Sequence, residues 1–223
     1  MAECSLVIET STPHASIARI GRDGSVSQRE FCSDRNHNAL LFEPLQELLA
    51  DDGKPSLVLV GSGPGSYSGT RVGIAAAQGI AIALSCPAVA VPSLLAVPAA
   101  ENGARCLAIG DARRGSYWTA RIGGCLLEQD PVLCDAAELE QRVAQAVAEG
   151  LAIFTFEDAA RFPLTGELSL RVQTETPDAT RLWHAWSAAD AATRQQWSAE
   201  IPQPLYLKPP HITPAKRPKF FPA

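Results

Sequence analysis

The sequence contains no apolar run long enough to cross a membrane. A transmembrane helix needs about 20 consecutive apolar residues, but the longest candidate, residues 72–84, is interrupted by Gln78 and followed by Ser85 and Pro87. The start also lacks the basic and apolar regions of a secretion signal. We therefore expect a cytoplasmic protein with no membrane span.

The sequence also lacks the patterns of a disulfide scaffold, a zinc site and a generally basic protein. Its six cysteines form no C-x-x-C pair and its four histidines have no metal-ligand spacing, so we expect reduced thiols and no metal. The net charge is −5 and the pI is near 5.4. Phosphate contacts need clustered Lys and Arg, so any contact with RNA must be local.

Apolar periodicity divides residues 1–101 into an N-terminal α/β lobe. Strands are predicted over 5–10, 15–20, 25–31, 57–60 and 88–91, and helices over 36–49, 70–84 and 93–100. Asn36 or Asn38 could cap the first helix, and Pro44 should kink it or mark its first turns. The order βββαβαβα is typical of one half of an actin-like or ribonuclease-H-like fold.

A turn at Asn102 is where a second, smaller lobe, residues 102–205, could begin. Strands are predicted over 105–110, 116–122 and 151–156, and helices over 135–149 and 179–192. Residues 206–223 contain five prolines and four basic residues with no acid, which predicts an extended basic tail. That tail could be simply disordered, or it could contact RNA or an acidic partner.

The glycine-rich segment 61–69 lies between a predicted buried strand and a helix, where backbone amides can bind an anion. The segment lacks the lysine of a P-loop, and Ser68 stands at the last position of a G-x-G-x-x-G fingerprint. Gly63, Gly65 and Ser66 are therefore candidates for a nucleotide or anion loop, and a closely packed helix entry is the alternative. The same alternatives apply to Arg71, which could contact phosphate or form a structural or interface salt bridge.

The helix after this segment is unusually rich in small residues. Gly69, Gly73 and Ala77 recur every four residues, and Val72, Ala76, Gly79 and Ala83 form an adjacent stripe. Glycine inside a helix costs about 0.5 to 1 kcal/mol relative to alanine, so a compensating close contact is expected. That contact could be the sheet of the same domain or a helix of a partner.

Two carboxylates follow strands at corresponding points of the two predicted lobes. Glu9 ends the first strand, and Asp111 follows the first strand of the second lobe. An actin-like ATPase places metal-bridging acids at such positions. Asp111 could instead cap the next turn through its own side chain.

Several segments together resemble the bacterial TsaB (YeaZ) family. The opening I-E-T-S-T at 8–12 is similar to the family's I-D-T-S-T, and D-A-R-R-G at 111–115 is similar to its D-A-R-x-G. The strongest resemblance is the hallmark G-P-G-S-Y-S-G-T-R-V-G-I over 63–74, and P-L-Y-L-K at 204–208 resembles the family's closing P-x-Y-L-R. Glu9 departs from the usual aspartate.

The resemblance implies a two-lobed actin-like fold and a noncatalytic subunit that helps to form N6-threonylcarbamoyladenosine at position 37 of tRNA. The expected partners are the catalytic subunit TsaD, the ATPase TsaE, tRNA indirectly through the complex, and a second copy of the chain when TsaD is absent. No cofactor of its own is expected, although ATP or ADP could lie at the interface with TsaD. The expected interface residues are Leu40, Leu41, Pro44, Leu45, Leu48, Gly69, Arg71, Val72, Gly73, Ala76 and Ala77.

Two other functions stay open at this point. A free-standing actin-like ATPase or small-molecule kinase would use Glu9, Asp111 and the glycine-rich loop, and tight magnesium-dependent ATP binding would favour it. A protease-like activity has no Ser-His-Asp or zinc arrangement to support it.

Overall fold

The computed structural model describes residues 4–32, 37–50 and 53–207, and the side chains of 37–39 are outside this description. The proposed Asn36 and Asn38 caps and nearly all of the predicted tail therefore lie outside the described residues. The five strands of the first sheet are β1 (Cys4–Glu9), β2 (His14–Gly21), β3 (Val26–Cys32), β4 (Pro55–Gly61) and β5 (Ala88–Val91).

The first sheet combines an antiparallel meander with parallel strands in the order β3-β2-β1-β4-β5. β1 pairs antiparallel with β2, as predicted, and parallel with β4. Val58, Leu59 and Val60 are fully buried, because a central parallel strand is covered on both faces. The predicted apolar central strand is confirmed.

Two helices cover one face of this sheet. They are α1 (His37–Ala50), with Pro44 in its interior, and α2 (Tyr67–Leu84). Since successive side chains of a strand point to opposite faces, Leu6 and Ile8 of β1 pack with Leu41 and Ile74 of these helices, whereas Val7 faces the other side.

The second sheet follows after two short 3-10 segments. The predicted helix over 93–100 is wrong: 3-10 turns span Ser93–Leu95 and Pro98–Gly103, and Asn102 adopts a left-handed conformation. The strands of the second sheet are β6 (Cys106–Asp111), β7 (Tyr117–Gly123), β8 (Leu126–Leu127), β9 (Val132–Cys134), β10 (Ala152–Thr155) and β11 (Val172–Thr174).

The order of this sheet is β11-β10-β6-β7-β8, and β9 also pairs with β7. Helix α3 (Ala136–Ala148) covers its outer face and begins with a capping box between Asp135 and Glu138. The short strands β8, β9 and β11 were not predicted, because two or three residues give too little periodicity.

The C-terminal helices return to the first sheet. The predicted helix over 179–192 is two helices, α4 (Ala179–Ala188) and α5 (Ala191–Ala199), because Asp190 caps a new helix. α4 packs on β1 and β4, and α5 packs on β5. Leu182 of α4 joins Val7 and Ala108 in a core between the two sheets, so the segment that closes the predicted second lobe contacts the strands of the first.

Candidate functional site

The inner face of α2 packs against its own sheet. Gly69, Gly73 and Ala77 are buried, and a Cβ at Gly69 would overlap the carbonyl oxygen of Thr10. A Cβ at Gly73 would overlap the hydroxyl of the same threonine, which donates to the Gly69 carbonyl at 2.8 Å. The close contact that these glycines allow is therefore with the end of β1, and the expectation that they face a partner is corrected.

The adjacent stripe of α2 faces outward. Gly79 is exposed and a Cβ there would meet nothing within 4 Å, whereas Val72 and Ala76 are half-buried. With Phe42 and Ile80, these residues line an apolar groove of about 650 Å³ between α1 and α2. We call it the α1/α2 groove; its lining residues are Phe42, Leu45, Arg71, Val72, Ala75, Ala76, Gly79 and Ile80.

The predicted residues of α1 divide between core and surface. Leu41, Leu45 and Leu48 are at most 5% exposed and belong to the core beneath the helices. Leu45 also reaches the floor of the groove. Leu40 is 42% exposed, and Pro44 is half-buried. Leu41 and Leu48 are thus core residues and not interface residues. Apolar residues at a spacing of three and four mark the side of α1 that packs on the sheet, and the prediction was made from that spacing.

Sequence reasoning missed the apolar residues that are most exposed on these helices. Phe42 is 57% exposed at the rim of the groove, and Ile82 is 81% exposed near the C-terminal end of α2. Both lie off the apolar stripe that packs inward. The sequence feature that could have identified them is a large apolar residue outside the periodic apolar stripe of an amphipathic helix.

Arg71 connects the start of α2 to the C-terminal segment. Its guanidinium lies over the Tyr67 ring, 3.3 Å from the ring centroid, and donates to the Tyr206 hydroxyl at 2.8 Å. It also donates to the Tyr67 carbonyl at 3.0 Å. The structure thus gives this arginine a structural role through aromatic and hydrogen-bond contacts.

Two backbone amides of the glycine-rich loop donate hydrogen bonds inside the protein. Gly63 donates its N–H to the Ser93 hydroxyl at 3.0 Å, and Ser66 donates its N–H to the Ser11 carbonyl at 2.6 Å. Ser66 is also the N-cap of α2, accepting from the Gly69 N–H, and a Cβ at Gly65 would overlap the Ser11 carbonyl. These contacts favour the closely packed helix entry, and nucleotide binding by the loop stays a prediction.

Glu9 lies in the protein interior. It is 0% exposed, and its Oε1 accepts a hydrogen bond from the Ser11 N–H at 2.7 Å. Burial raises the pKa of Glu9 above the usual 4.5, outweighing hydrogen bonds from Ser11 and Ser93 that lower it. Its Oε2 lies against Gly61, where any side chain would overlap it.

A cleft of about 590 Å³ separates the β1–β2 turn and the glycine-rich loop from the end of β6. Asp111 lines it but Glu9 does not. The Asp111 carboxylate accepts from the Arg113 N–H at 2.6 Å and pairs with its guanidinium at 3.2 Å. The prediction that Asp111 caps the next turn is therefore confirmed. Among residues 4–32, 37–50 and 53–207, no three His, Cys, Asp or Glu side chains form a group that could hold a metal ion.

The fold defines the class of this protein before any sequence relative is considered. The structure of YeaZ from Pseudomonas aeruginosa superposes with a TM-score of 0.69 at 23% identity, covering 92% of this chain and all of that one. Two mixed sheets with flanking helices in this arrangement are an actin-like α/β fold, as predicted. In the part of the chain that the structure describes, no helix is long and apolar enough to cross a membrane.

Sequence comparison identifies the family. Residues 31–159, more than half of the chain, match the family model described as TsaD: tRNA N6-adenosine threonylcarbamoyltransferase. The chain belongs to this family. It is 34% identical over 51% of its length to the tRNA threonylcarbamoyladenosine biosynthesis protein TsaB of Escherichia coli, and 34% identical over 56% of its length to that of Bacillus subtilis.

These alignments cover 52% and 58% of the two relatives, so the chain spans about half the length of the curated relatives it matches. The predicted resemblance to the TsaB (YeaZ) family is confirmed.

Proposed function

We propose that this chain is a noncatalytic subunit of the assembly that forms N6-threonylcarbamoyladenosine in tRNA, and that it docks a TsaD-type subunit on the α1/α2 groove. The names of the sequence relatives support a role in tRNA threonylcarbamoyladenosine biosynthesis. The groove supports a docking role, and it is the observation on which this proposal depends.

The groove has the chemistry of a protein-binding surface. Its lining is apolar except for Arg71, and Phe42 at its rim is 57% exposed. Ile82, on the last turns of α2, adds a further exposed apolar side chain outside the lining. Contiguous exposed apolar surface of this kind marks interaction sites. Gly79 and Ala76 leave room for a helix backbone to approach closely, which is the role first assigned to the whole small-residue helix.

The noncatalytic role is supported by how the candidate catalytic groups are used. The Glu9 carboxyl is enclosed behind Gly61, and the amides of Gly63 and Ser66 are donors to protein oxygens. These groups hold the entry of α2 in place. TsaE as a further partner, self-pairing through the same groove, and ATP or ADP at the TsaD interface remain parts of this proposal.

Docking is tested by co-elution with the TsaD of the same organism in size-exclusion chromatography. We expect Ala76→Glu and Gly79→Glu each to abolish co-elution, because a carboxylate would be buried in an apolar contact. Ala144→Glu, on the exposed side of α3, is the matched control and should co-elute normally. Normal co-elution of both groove variants would contradict the proposal.

Gly73→Leu is not suitable for this test. The new side chain would collide with Thr10 of the same chain, so loss of binding could not be separated from loss of folding.

A further inference from the structure

Arg71 is the single charged residue of α2. It lines the α1/α2 groove, and every other residue of that lining is glycine or apolar. Along α2 the lining begins at Arg71 and ends at Ile80. The charge therefore marks one end of an otherwise apolar groove.

The guanidinium of Arg71 is held in place at the N-terminal end of α2. It lies 3.3 Å from the centroid of the Tyr67 ring and donates to the Tyr67 carbonyl at 3.0 Å. A second hydrogen bond reaches the Tyr206 hydroxyl at 2.8 Å. Because these contacts already order a long side chain, binding it costs less conformational entropy than binding an arginine with no such contacts.

No carboxylate forms an ion pair with Arg71 in the part of the chain that the structure describes. Both of its hydrogen-bond acceptors are uncharged oxygens, whereas Arg29, Arg105 and Arg121 each pair with a glutamate. A guanidinium has more N–H donors than these two bonds use. The helix dipole has the same sign here, because the start of a helix is its positive end. An uncompensated cation therefore lies beside an apolar surface.

A partner that docks on the groove would cover Arg71 together with the apolar lining. Covering a charge is costly unless the partner supplies an opposite charge with good hydrogen-bond geometry. A carboxylate does so well, because its two oxygens accept parallel N–H bonds from one guanidinium. The α2 helix of a second copy has no acidic residue, so contact between two α2 helices would leave Arg71 unpaired.

We propose that Arg71 binds a carboxylate of the TsaD-type subunit at this end of the α1/α2 groove. The inference rests on the proposed function and deepens it by giving the chemistry of the segment that docks. That segment is an amphipathic helix whose apolar face fills the groove and whose Asp or Glu meets Arg71. A Lys or Arg in that place would be repelled, so Arg71 fixes the register of the docked helix and selects against other apolar helices.

The test measures the Kd between the full-length chain and the TsaD of the same organism by calorimetric titration, at about 50 and 300 mM salt. Three variants are compared with the unaltered chain: Arg71→Gln, Arg71→Lys and Tyr206→Phe. The matched control is Arg22→Gln, which removes an exposed arginine outside the groove. Thermal melting verifies that each variant is folded.

We expect Arg71→Gln to weaken binding about thirtyfold at the lower salt, as for other hydrogen-bonded charge pairs that lose one partner at an interface. Its remaining affinity should depend less on salt than that of the unaltered chain. Arg71→Lys should lose less, because it keeps the charge without the parallel N–H geometry. The control should bind like the unaltered chain.

Tyr206→Phe separates docking from a purely structural role of Arg71. The substitution removes the hydroxyl that orients the guanidinium and leaves the charge, so we expect a loss of about fivefold or less, the effect of one hydrogen bond. A loss equal to that of Arg71→Gln would overturn the inference, because Arg71 would then act only by holding the C-terminal segment. Unchanged affinity of Arg71→Gln, or equal weakening by Arg22→Gln, would also overturn it.

A charge exchange tests the partner's carboxylate directly. Arg71→Glu should abolish binding, and changing the facing Asp or Glu of TsaD to Arg should restore at least about tenfold of the affinity. If no single acidic position on the TsaD surface restores binding, the inference is wrong. Failure of the unaltered chain to bind TsaD overturns the proposed function and this inference with it. Normal binding of both the unaltered chain and Arg71→Gln overturns this inference alone.

Discussion

Gly65 and Gly79 have opposite surroundings, so their substitution by alanine should have opposite effects on stability. A Cβ at Gly65 would overlap the backbone carbonyl of Ser11, whereas a Cβ at Gly79 points into open space. We expect Gly65→Ala to lower the free energy of unfolding by about 1 to 3 kcal/mol, through overpacking. Gly79→Ala should raise it by about 0.5 to 1 kcal/mol, because alanine is the better helix former. Urea denaturation of both variants gives the two values, and equal effects of the two substitutions would contradict this account of the loop.

Glu9 makes folding depend on pH. Because the pKa of the folded state is raised above the usual 4.5, the folded chain binds more protons than the unfolded one above that value. The contribution of Glu9 to stability is therefore fully present below about pH 4.5, and it is lost as pH rises through the folded pKa.

Glu9→Gln should remove this contribution, because an amide does not titrate and its oxygen can still accept from Ser11. The measurement is the difference in unfolding free energy between the two proteins from pH 4.5 to 8. Glu157 and Glu175, whose pKa values are also raised by burial, contribute equally to both proteins and cancel. We expect the glutamine variant to gain stability relative to the unaltered chain as pH rises, and a constant difference would refute the assignment.

At the scale of elements, the segment after α5 is held by hydrogen bonds to α2 and to the loop before α2. The Gln78 side chain donates to the Pro202 carbonyl at 3.0 Å, and the Leu205 N–H donates to the Ser62 carbonyl at 2.8 Å. Gln78→Ala should speed hydrogen exchange of the Leu205 amide about fivefold, the effect of losing one hydrogen bond of about 1 kcal/mol. Gln145→Ala, which removes a hydrogen bond on α3, should leave that amide unchanged. If both variants exchange alike at Leu205, Gln78 does not anchor the segment.

The elements that were predicted well from sequence are those with an apolar pattern over many residues. Helix α3 and strands β1 and β4 follow 3.6-residue and continuous apolar patterns, and their positions are confirmed. The predicted helix over 93–100 failed because its apolar residues are buried in 3-10 turns between the two sheets, where burial gives an apolar pattern without a helix.

At the scale of the whole molecule, the cleft between the sheets distinguishes the two proposed functions, the noncatalytic subunit and the free-standing actin-like ATPase. We expect the isolated chain to show no tight magnesium-dependent ATP binding in calorimetric titration, because Gly63 and Ser66 use their amides internally and Glu9 is outside the cleft. Magnesium-dependent binding in the micromolar range, about −8 kcal/mol, would support the rival.

The sequence by itself determined the order of the longer strands of both sheets and of helices α1 to α3, the glycine-rich entry of α2 and the family resemblance, since these depend on local patterns. Only the tertiary structure decided which side of α2 is free. After its first turn that helix is mostly small or apolar, with Arg71 and Gln78 as its charged and amide side chains, so the sequence pattern alone does not fix its rotation about its own axis. Directly after β1, the carbonyls of Ser11 and Thr10 lie against Gly65 and Gly69, and the Thr10 hydroxyl lies against Gly73. These close contacts turn Ala76 and Gly79 toward the surface.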